Sequence, residues 1–268
     1  MRKTRRYLLI TLLIAAVGFV SWLLLSSPSE PVYQGKPLSH WCEQFVNTLS
    51  KPDNQSQEQA GIAIRTIGTN AIPTLLVMLQ AQDSKSKLML IQLAQKQHFF
   101  HIKWTTAEFR HQEAEMGFLI LSSDGKSAIP ALLEIYNERH SDPNDAIRYT
   151  AENILGSMGP AAADAVPRFV QATTHTNVYI RWSAILTLGA IHAKPELTLP
   201  ALARSLRDPV DYVRRDAASA LGEFGTNANS AVPVLIKSLA DPSSAVRGKA
   251  ASALKKIDPE AAAKAGVK

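Results

Sequence analysis

The chain has 268 residues, of which 46% are apolar and 7% aromatic, and its formal net charge is +6. Four basic residues (Arg2, Lys3, Arg5 and Arg6) precede the first apolar run, so the 29 Lys and Arg fall to 25 beyond them, against 23 Asp and Glu. A surplus of about two charges is too small for a phosphate-binding surface, which excludes nucleic acid as the expected partner.

The amino terminus carries a predicted membrane anchor. Residues 1–6 form a basic tail, and residues 7–25, YLLITLLIAAVGFVSWLLL, contain no charge. As a helix this segment extends about 28 Å, the thickness of a bilayer core. The basic flank predicts a cytoplasmic amino terminus and a remainder outside the cytoplasm, in the periplasm of a bacterium. A cleaved signal peptide is the alternative, although its apolar region is usually shorter and Ser27-Pro28-Ser29 is a poor cleavage site.

The segment after the anchor predicts a short connection and a capping helix. Residues 26–37 are rich in Ser and Pro and are interpreted as a linker, and residues 38–268 as the folded domain. The string PLSHWCEQF predicts a short amphipathic helix that covers the first repeat. Cys42, the single cysteine, has no partner for an intrachain disulfide, and we expect a buried thiol there.

A regular repeat period organises the second half of the chain, from about residue 142 to 257. Positions that are one repeat period apart, which we call a column, hold the same residue type in four cases: Arg148, Arg181, Arg214 and Arg247; Ala151, Ala184, Ala217 and Ala250; Leu155, Leu188, Leu221 and Leu254; Pro167, Pro200 and Pro233. Each unit predicts two helices, the first ending at a glycine such as Gly225 and the second beginning near the column proline. A lone pair cannot cover its apolar faces, so the sequence predicts an all-α solenoid of about five stacked helix pairs with terminal capping helices.

The charges around the column arginines have a structural interpretation. Asp142, Asp208 and Asp241 each precede a proline and lie shortly before a column arginine. Aspartate before proline is typical of a helix N-cap, and Asp145 and Asp211 then fall in the first turn. We expect each column arginine to reach an N-cap aspartate of its own or the adjacent repeat, which makes these residues a structural ladder.

The pattern DPxxxVRxxAAxALGxxGxxAxxAVPxLIxxL resembles HEAT-like repeats of the phycobilisome-lyase type, most closely over residues 142–257. The string VYQGKPLSHWCEQF after the anchor is similar to one in a group of bacterial membrane-anchored HEAT-repeat proteins. This resemblance implies the same fold and topology, and it conveys little about activity. HEAT-like enzymes of the deoxyhypusine hydroxylase type bind iron through His-Glu dipeptides, and none of the seven histidines here precedes Glu.

An insertion at about residues 84–108 interrupts the spacing of the earlier repeats and predicts one extra helix followed by a loop. It contains HFFHIKW, in which His98 and His101 have the spacing of a metal site on one helix face. No acidic or cysteine partner is nearby, so a packed aromatic segment is the simpler interpretation. Phe99 and Trp104 make the insertion a candidate recognition element, because insertions into solenoids lie at the surface.

Two further columns are candidates for partner binding. Gln171, Arg204 and Lys237 lie one helical turn after the column prolines and predict a mildly basic stripe on the second helices, which Glu134 interrupts. Tyr149 and Trp182 follow column arginines on the first helices, where exposed aromatic residues are typical of binding hot spots.

The sequence therefore predicts a membrane-tethered scaffold that binds a protein or an extended peptide without catalysis, cofactor or metal. No phosphate-binding glycine loop, HExxH motif or nucleophile elbow is present in the chain. Two alternatives stay open: an enzyme of lyase or metal-dependent type that uses the insertion, and a purely structural spacer. The sequence leaves the oligomeric state undetermined.

Overall fold

The structure is a computed structural model that describes residues 30–96, 105–139 and 145–267. Within these ranges the chain is helical, apart from one two-stranded hairpin. The predicted cytoplasmic tail and anchor, residues 1–25, lie outside the described residues.

The hairpin precedes the first helix. Strands β1 (Val32–Tyr33) and β2 (Lys36–Pro37) pair antiparallel through a tight turn at Gln34 and Gly35. Both turn residues have positive φ, 49° and 75°, which suits the glycine and favours a short twisted turn. Helix α1 (Leu38–Ser50) begins directly after β2.

The hairpin, which falls within the predicted linker over residues 26–37, is fixed to α1. The Glu30 carboxylate accepts the amide N–H of Ser39 at 2.9 Å, at the helix end where the dipole favours an anion. The Trp41 indole donates to the carbonyl of Tyr33 at 3.3 Å, and the two rings pack edge to face. The chain from Glu30 into α1 is therefore folded, because these hydrogen bonds and ring contacts fasten it. Residues 26–29 lie outside the described residues.

Five helix pairs follow α1 in the described part of the chain. Each has a first and a second helix: α2 (Asn54–Ile67) and α3 (Ile72–Leu79); α5 (Ala107–Leu121) and α6 (Ile129–Arg139); α7 (Ala146–Ser157) and α8 (Val166–Ala172); α9 (Val178–Ile191) and α10 (Pro195–Ser205); α11 (Asp211–Glu223) and α12 (Val232–Ser238). Helix α4 (Lys85–Lys96) lies between the first and second pairs, and α13 (Ser244–Ile257) and α14 (Pro259–Lys264) end the fold. The first helices α5, α7, α9 and α11 pack against one another in sequence order, and α13 packs on α11, so the architecture is an α-solenoid.

A sharp turn separates the two helices of each pair. Gly68, Gly159 and Gly225 have φ between 51° and 60° at the end of their first helices, a conformation that glycine adopts without strain. Ser122 and His192 occupy the same place in the other two pairs at similar φ. In three of the pairs the glycine opens a short 3-10 segment, after which a proline in the first turn starts the second helix.

Small residues set the distance between neighbouring first helices. The added Cβ atom of an alanine at Gly222 would lie 3.1 Å from the Ala253 Cα and 3.2 Å from its Cβ. Gly189 faces Ala220 in the same way, with 3.1 Å between the added Cβ and the Ala220 Cβ. These two glycines occupy equivalent positions in successive repeats, so the close contact between neighbouring first helices recurs with the repeat.

We expect Gly222→Ala to lower the free energy of unfolding by about 1–3 kcal/mol, because the added methyl group pushes α11 away from α13. Gly248→Ala is the matched control: Gly248 is also inside a helix, but nothing lies within 4 Å of its added Cβ. The control should stabilise the protein by up to about 1 kcal/mol through helix propensity alone. Urea unfolding followed by circular dichroism measures both, and equal changes at the two sites would contradict the proposed close packing.

A continuous apolar core runs through the repeats from Leu38 to Ala262. Cys42 is fully buried within it, as predicted, and burial raises the pKa of its thiol. The stretch Asn54–Leu79 is long and apolar enough to cross a membrane. In this fold Gly68 divides it into α2 and α3, and residues such as Ile64 and Leu75 lie in the core.

Candidate binding surfaces

The column arginines connect successive repeats. Arg181 binds Asp208 through two hydrogen bonds of 2.7 and 2.9 Å, and its third nitrogen donates to the carbonyls of His175 and Thr176. Arg214 repeats the arrangement with Asp241 at 2.8 and 2.9 Å. Each arginine thus binds the loop before its own helix and the aspartate before the next first helix. These groups are spaced along the solenoid and do not converge on one cleft.

The aspartates differ from the prediction in one respect, because Asp208 and Asp241 are not helix N-caps. Helices α11 and α13 begin three residues after them, at Asp211 and Ser244. Each carboxylate accepts the amide N–H two residues on, from Val210 or Ser243, which forms a turn before the helix. Asp145, expected in the first turn, is instead the N-cap of α7 and accepts the Arg148 amide at 2.8 Å.

The bonds from the arginines affect the acidity of these carboxyls. Burial opposes the ionisation of Asp208, but the hydrogen bonds from Arg181 and the Val210 amide outweigh it and hold its pKa below the usual value. The bond from Arg214 has the same effect on the pKa of Asp241. Both pairs are therefore ionised at neutral pH and connect the repeats electrostatically.

Two column arginines differ from Arg181 and Arg214: Arg247 donates to the carbonyls of Asp241 and Pro242, and Arg148 pairs with a glutamate. Arg148 is 2% exposed, and its guanidinium lies 2.7 Å from the Glu152 carboxylate one turn along the same helix. The position equivalent to Asp208 in this repeat holds His175, which has no carboxylate, so the pair forms within the repeat. Asp142, the other predicted member of the ladder, lies outside the described residues.

Glu152 belongs to a buried polar cluster that the sequence analysis missed. It is 1% exposed and accepts a hydrogen bond from the Ser183 hydroxyl at 3.0 Å. Burial raises its pKa to about 7, against the opposing effect of Arg148. Residues 185, 218 and 251 occupy its column with Ile or Ala. The sequence did contain a signal for the buried ion pair, because Glu152 is an acidic residue in a column that is otherwise apolar.

The first helices expose an aromatic surface, which we call the aromatic face: Tyr149, Tyr179, Trp182 and Tyr212. Tyr179 is 55% exposed and Tyr149 is 49% exposed. Trp182 was predicted to be exposed, but its ring is partly buried because it packs edge to face on Tyr212, with 5.9 Å between ring centroids. Tyr179 and Tyr212 were missed, although their spacing of one repeat period placed them in a column of their own.

Hydrogen bonds hold Trp182 in place. Its indole N–H donates to the Asp216 carboxylate at 2.7 Å, and Arg215 donates two bonds of 2.7 and 2.8 Å to the same group. Burial opposes the ionisation of Asp216, yet the bonds from Arg215 and Trp182 hold its pKa below the usual value. Because the indole is fixed before any partner binds, little side-chain entropy is lost on binding.

The predicted basic stripe lies on the second helices, and its three side chains are exposed: Gln171, Arg204 and Lys237. Gln171 accepts a hydrogen bond from Arg168 at 2.9 Å and borders a cavity of about 230 Å³, lined also by Tyr136 and His175. Arg204 and Lys237 extend from successive second helices. The two predicted columns therefore lie on different layers of the solenoid.

Comparison with known proteins identifies the repeats. Residues 129–222 and 199–265 match the sequence profile described as HEAT repeats, and together these overlapping ranges cover more than half of the chain. The chain belongs to the HEAT-repeat family. The match is to HEAT repeats in general, so the finer resemblance to the phycobilisome-lyase type stays a prediction. A search of curated proteins returns no match.

Several solved repeat structures are similar to this HEAT-repeat chain. The crystal structure of one engineered protein is 20% identical, with a TM-score of 0.44, and the alignment covers 84% of this chain and 97% of that one. A second engineered protein is 19% identical at a TM-score of 0.41, covering 84% and 72%. A designed armadillo repeat protein, solved with the peptide (KR)4, is 16% identical at 0.41, covering 81% and 99%.

The remaining candidates of the HEAT-repeat chain lie in its insertion. Phe99, Trp104, His98 and His101 are outside the described residues. Within residues 30–96, 105–139 and 145–267, no group of three or more His, Cys, Asp or Glu side chains is placed to hold a metal ion. The described part of the insertion is α4, whose surface is considered below.

Proposed function

We propose that this HEAT-repeat chain is a membrane-tethered scaffold that binds a protein or an extended peptide outside the cytoplasm and catalyses no reaction. The aromatic face carries the proposal. Tyr149 and Tyr179 expose about half of their surface, while Trp182 is held by Asp216 beside them. Tyr and Trp at such positions are typical of interface hot spots.

The aromatic face is favoured over the basic stripe because of rigidity. Arg204 and Lys237 are long exposed side chains, and ordering each of them on binding costs about 0.5–1.5 kcal/mol. Trp182 and Tyr212 already pack against the core and against each other. We therefore assign the main contact to the layer of first helices and treat the basic stripe as the alternative face.

Site-specific cross-linking in the native host tests the binding role. A photo-reactive amino acid at Tyr179 of the full-length protein should give a reproducible cross-linked species. The same group at Ile236, a 39% exposed residue on a second helix, is the matched control. Cross-linking at Ile236 alone would transfer the role to the second helices. No cross-link at either position would favour a structural spacer.

Fractionation tests the tether. The full-length chain should sediment with membranes, and a chain that starts at Ser29 should stay in the soluble fraction, because residues 7–25 supply the apolar span. The described residues begin at Glu30, so this truncation retains the hairpin and α1. Soluble full-length protein, or a mature amino terminus near Ser29, would contradict anchoring.

A further inference from the structure

Helix α4 carries an unusual density of exposed apolar side chains. Leu88, Met89, Leu90 and Leu93 are 44%, 64%, 52% and 54% exposed. These are four of the fourteen large exposed apolar residues in the described part of the chain, in which each other helix carries at most two. Met89, Leu90 and Leu93 share one face at helical spacing, so the exposed surface is continuous.

No other helix of the described ranges packs along α4. The base of α4 is nevertheless fixed to the solenoid. Asp83 forms an ion pair with Lys87 and accepts the amide N–H of Ala107 at 2.9 Å, and Lys87 donates to the carbonyl of Thr105 at 2.7 Å. The helix is therefore held in place from one end, while Met89, Leu90 and Leu93 on its apolar face are each more than half exposed.

The charge of α4 indicates the chemistry of what covers this face. The helix contains Lys85, Lys87 and Lys96 and no acidic residue; Lys87 is paired with Asp83, so Lys85 and Lys96 are the lysines that count here. An apolar face together with lysines is typical of helices that lie in the interface of an anionic bilayer. Burial of one such apolar side chain contributes about 1.5–3 kcal/mol, and each lysine near an anionic surface adds about 1 kcal/mol.

The length of chain before the structure brings a bilayer to this end of the molecule. Five residue steps join Leu25, at the end of the predicted anchor, to Glu30, and a fully extended chain spans about 18 Å over that distance. Helix α4 lies between the first and second helix pairs, at the anchored end of the solenoid. The carboxyl-terminal repeats lie several helix diameters further along it.

We propose that α4 lies on the membrane surface, with Met89, Leu90 and Leu93 inserted among anionic lipids, and so orients the solenoid against the bilayer. This inference rests on the proposed tether. It assigns the occupant of the apolar face to the lipid bilayer itself. A partner protein and a second copy of the chain are the rival occupants.

Lipid-borne quenchers test this inference on the full-length protein. The variant Leu93→Cys is labelled with a fluorophore and reconstituted in vesicles of phosphatidylcholine and phosphatidylglycerol that contain nitroxide-labelled lipid. The native Cys42 is fully buried, so the unsubstituted protein controls for background labelling. Ser252→Cys on α13, an exposed position near the other end of the fold, is the matched control.

We expect the label at position 93 to lose about half or more of its fluorescence, and the label at position 252 to lose little. Protein that floats with vesicles but shows no quenching at position 93 would overturn the membrane contact of α4 and leave the tether intact. A label at 93 that is shielded from water yet not quenched, or that cross-links between copies, would assign the face to protein and overturn the proposal. Full-length protein that does not float would overturn tether and contact together.

Discussion

Replacing Arg148 with methionine is expected to lower the free energy of unfolding at about pH 8 by about 3–5 kcal/mol. The substitution removes the cation that lies 2.7 Å from the Glu152 carboxylate, and both side chains are at most 2% exposed. Among the described residues, Glu152 then keeps the hydrogen bond from the Ser183 hydroxyl. A buried carboxylate without its counter-charge is far less stable than one in water.

The loss should be smaller at about pH 5, and the sign follows from the pKa of Glu152. Burial raises this pKa from 4.5 to about 7, so protonation of Glu152 favours the folded state. The stabilisation is fully present below the pKa of the unfolded chain and is lost as the pH rises through about 7. Removal of Arg148 raises the folded pKa further, so the variant suffers most where the wild-type carboxyl is ionised.

The double variant Arg148→Met with Glu152→Leu separates this electrostatic effect from a loss of packing. Replacement of a buried ion pair by apolar residues of similar size is often neutral or stabilising, so the double variant should recover most of the loss and its dependence on pH. Urea unfolding at both pH values, followed by far-ultraviolet circular dichroism, measures all three proteins. A double variant as unstable as Arg148→Met would show that the guanidinium stabilises the fold through contacts other than the one with Glu152.

The second large effect concerns partner binding. Trp182→Ala is expected to reduce cross-linking from Tyr179 by about tenfold or more. Truncation of a hot-spot residue costs about 2 kcal/mol or more of binding free energy. A loss of about 1.4 kcal/mol lowers the affinity tenfold. The same substitution removes the ring that packs on Tyr212 and the N–H that binds Asp216. The aromatic face thereby loses its most rigid member.

Two variants control for an indirect effect of Trp182→Ala. Trp182→Phe retains an aromatic ring but not the hydrogen bond to Asp216, so it should retain part of the cross-linking. Lys237→Ala removes an exposed side chain of the second helices and should leave the yield unchanged. A thermal melt confirms that each variant is folded. Equal losses with Trp182→Ala and Lys237→Ala would contradict the assignment to the aromatic face.

Much of the candidate binding surface could not be predicted from the sequence, because exposure depends on neighbours in other repeats. Trp182 occupies the same position in its repeat as Tyr149 and Arg215 do in theirs, and the repeat pattern predicted that all three side chains are exposed. Trp182 is partly buried because Tyr212 and Asp216 come from the following first helix. The exposed side chains of α4 were missed for the same reason. An apolar helix is normally expected to pack against its neighbours, and only the structure shows that no other described helix packs along α4.

By itself, the sequence determined the repeat and its helix pairs, because these depend on local features that recur from one repeat to the next: glycines that end first helices, prolines that start second helices, and apolar columns. Only the tertiary structure decided which partner each charged group takes. Arg181 and Arg214 reach aspartates of the following repeat, whereas Arg148 turns to Glu152 within its own helix. The physical reason is that a side chain binds the best counter-charge within its reach, and that reach is set by the spacing between stacked repeats.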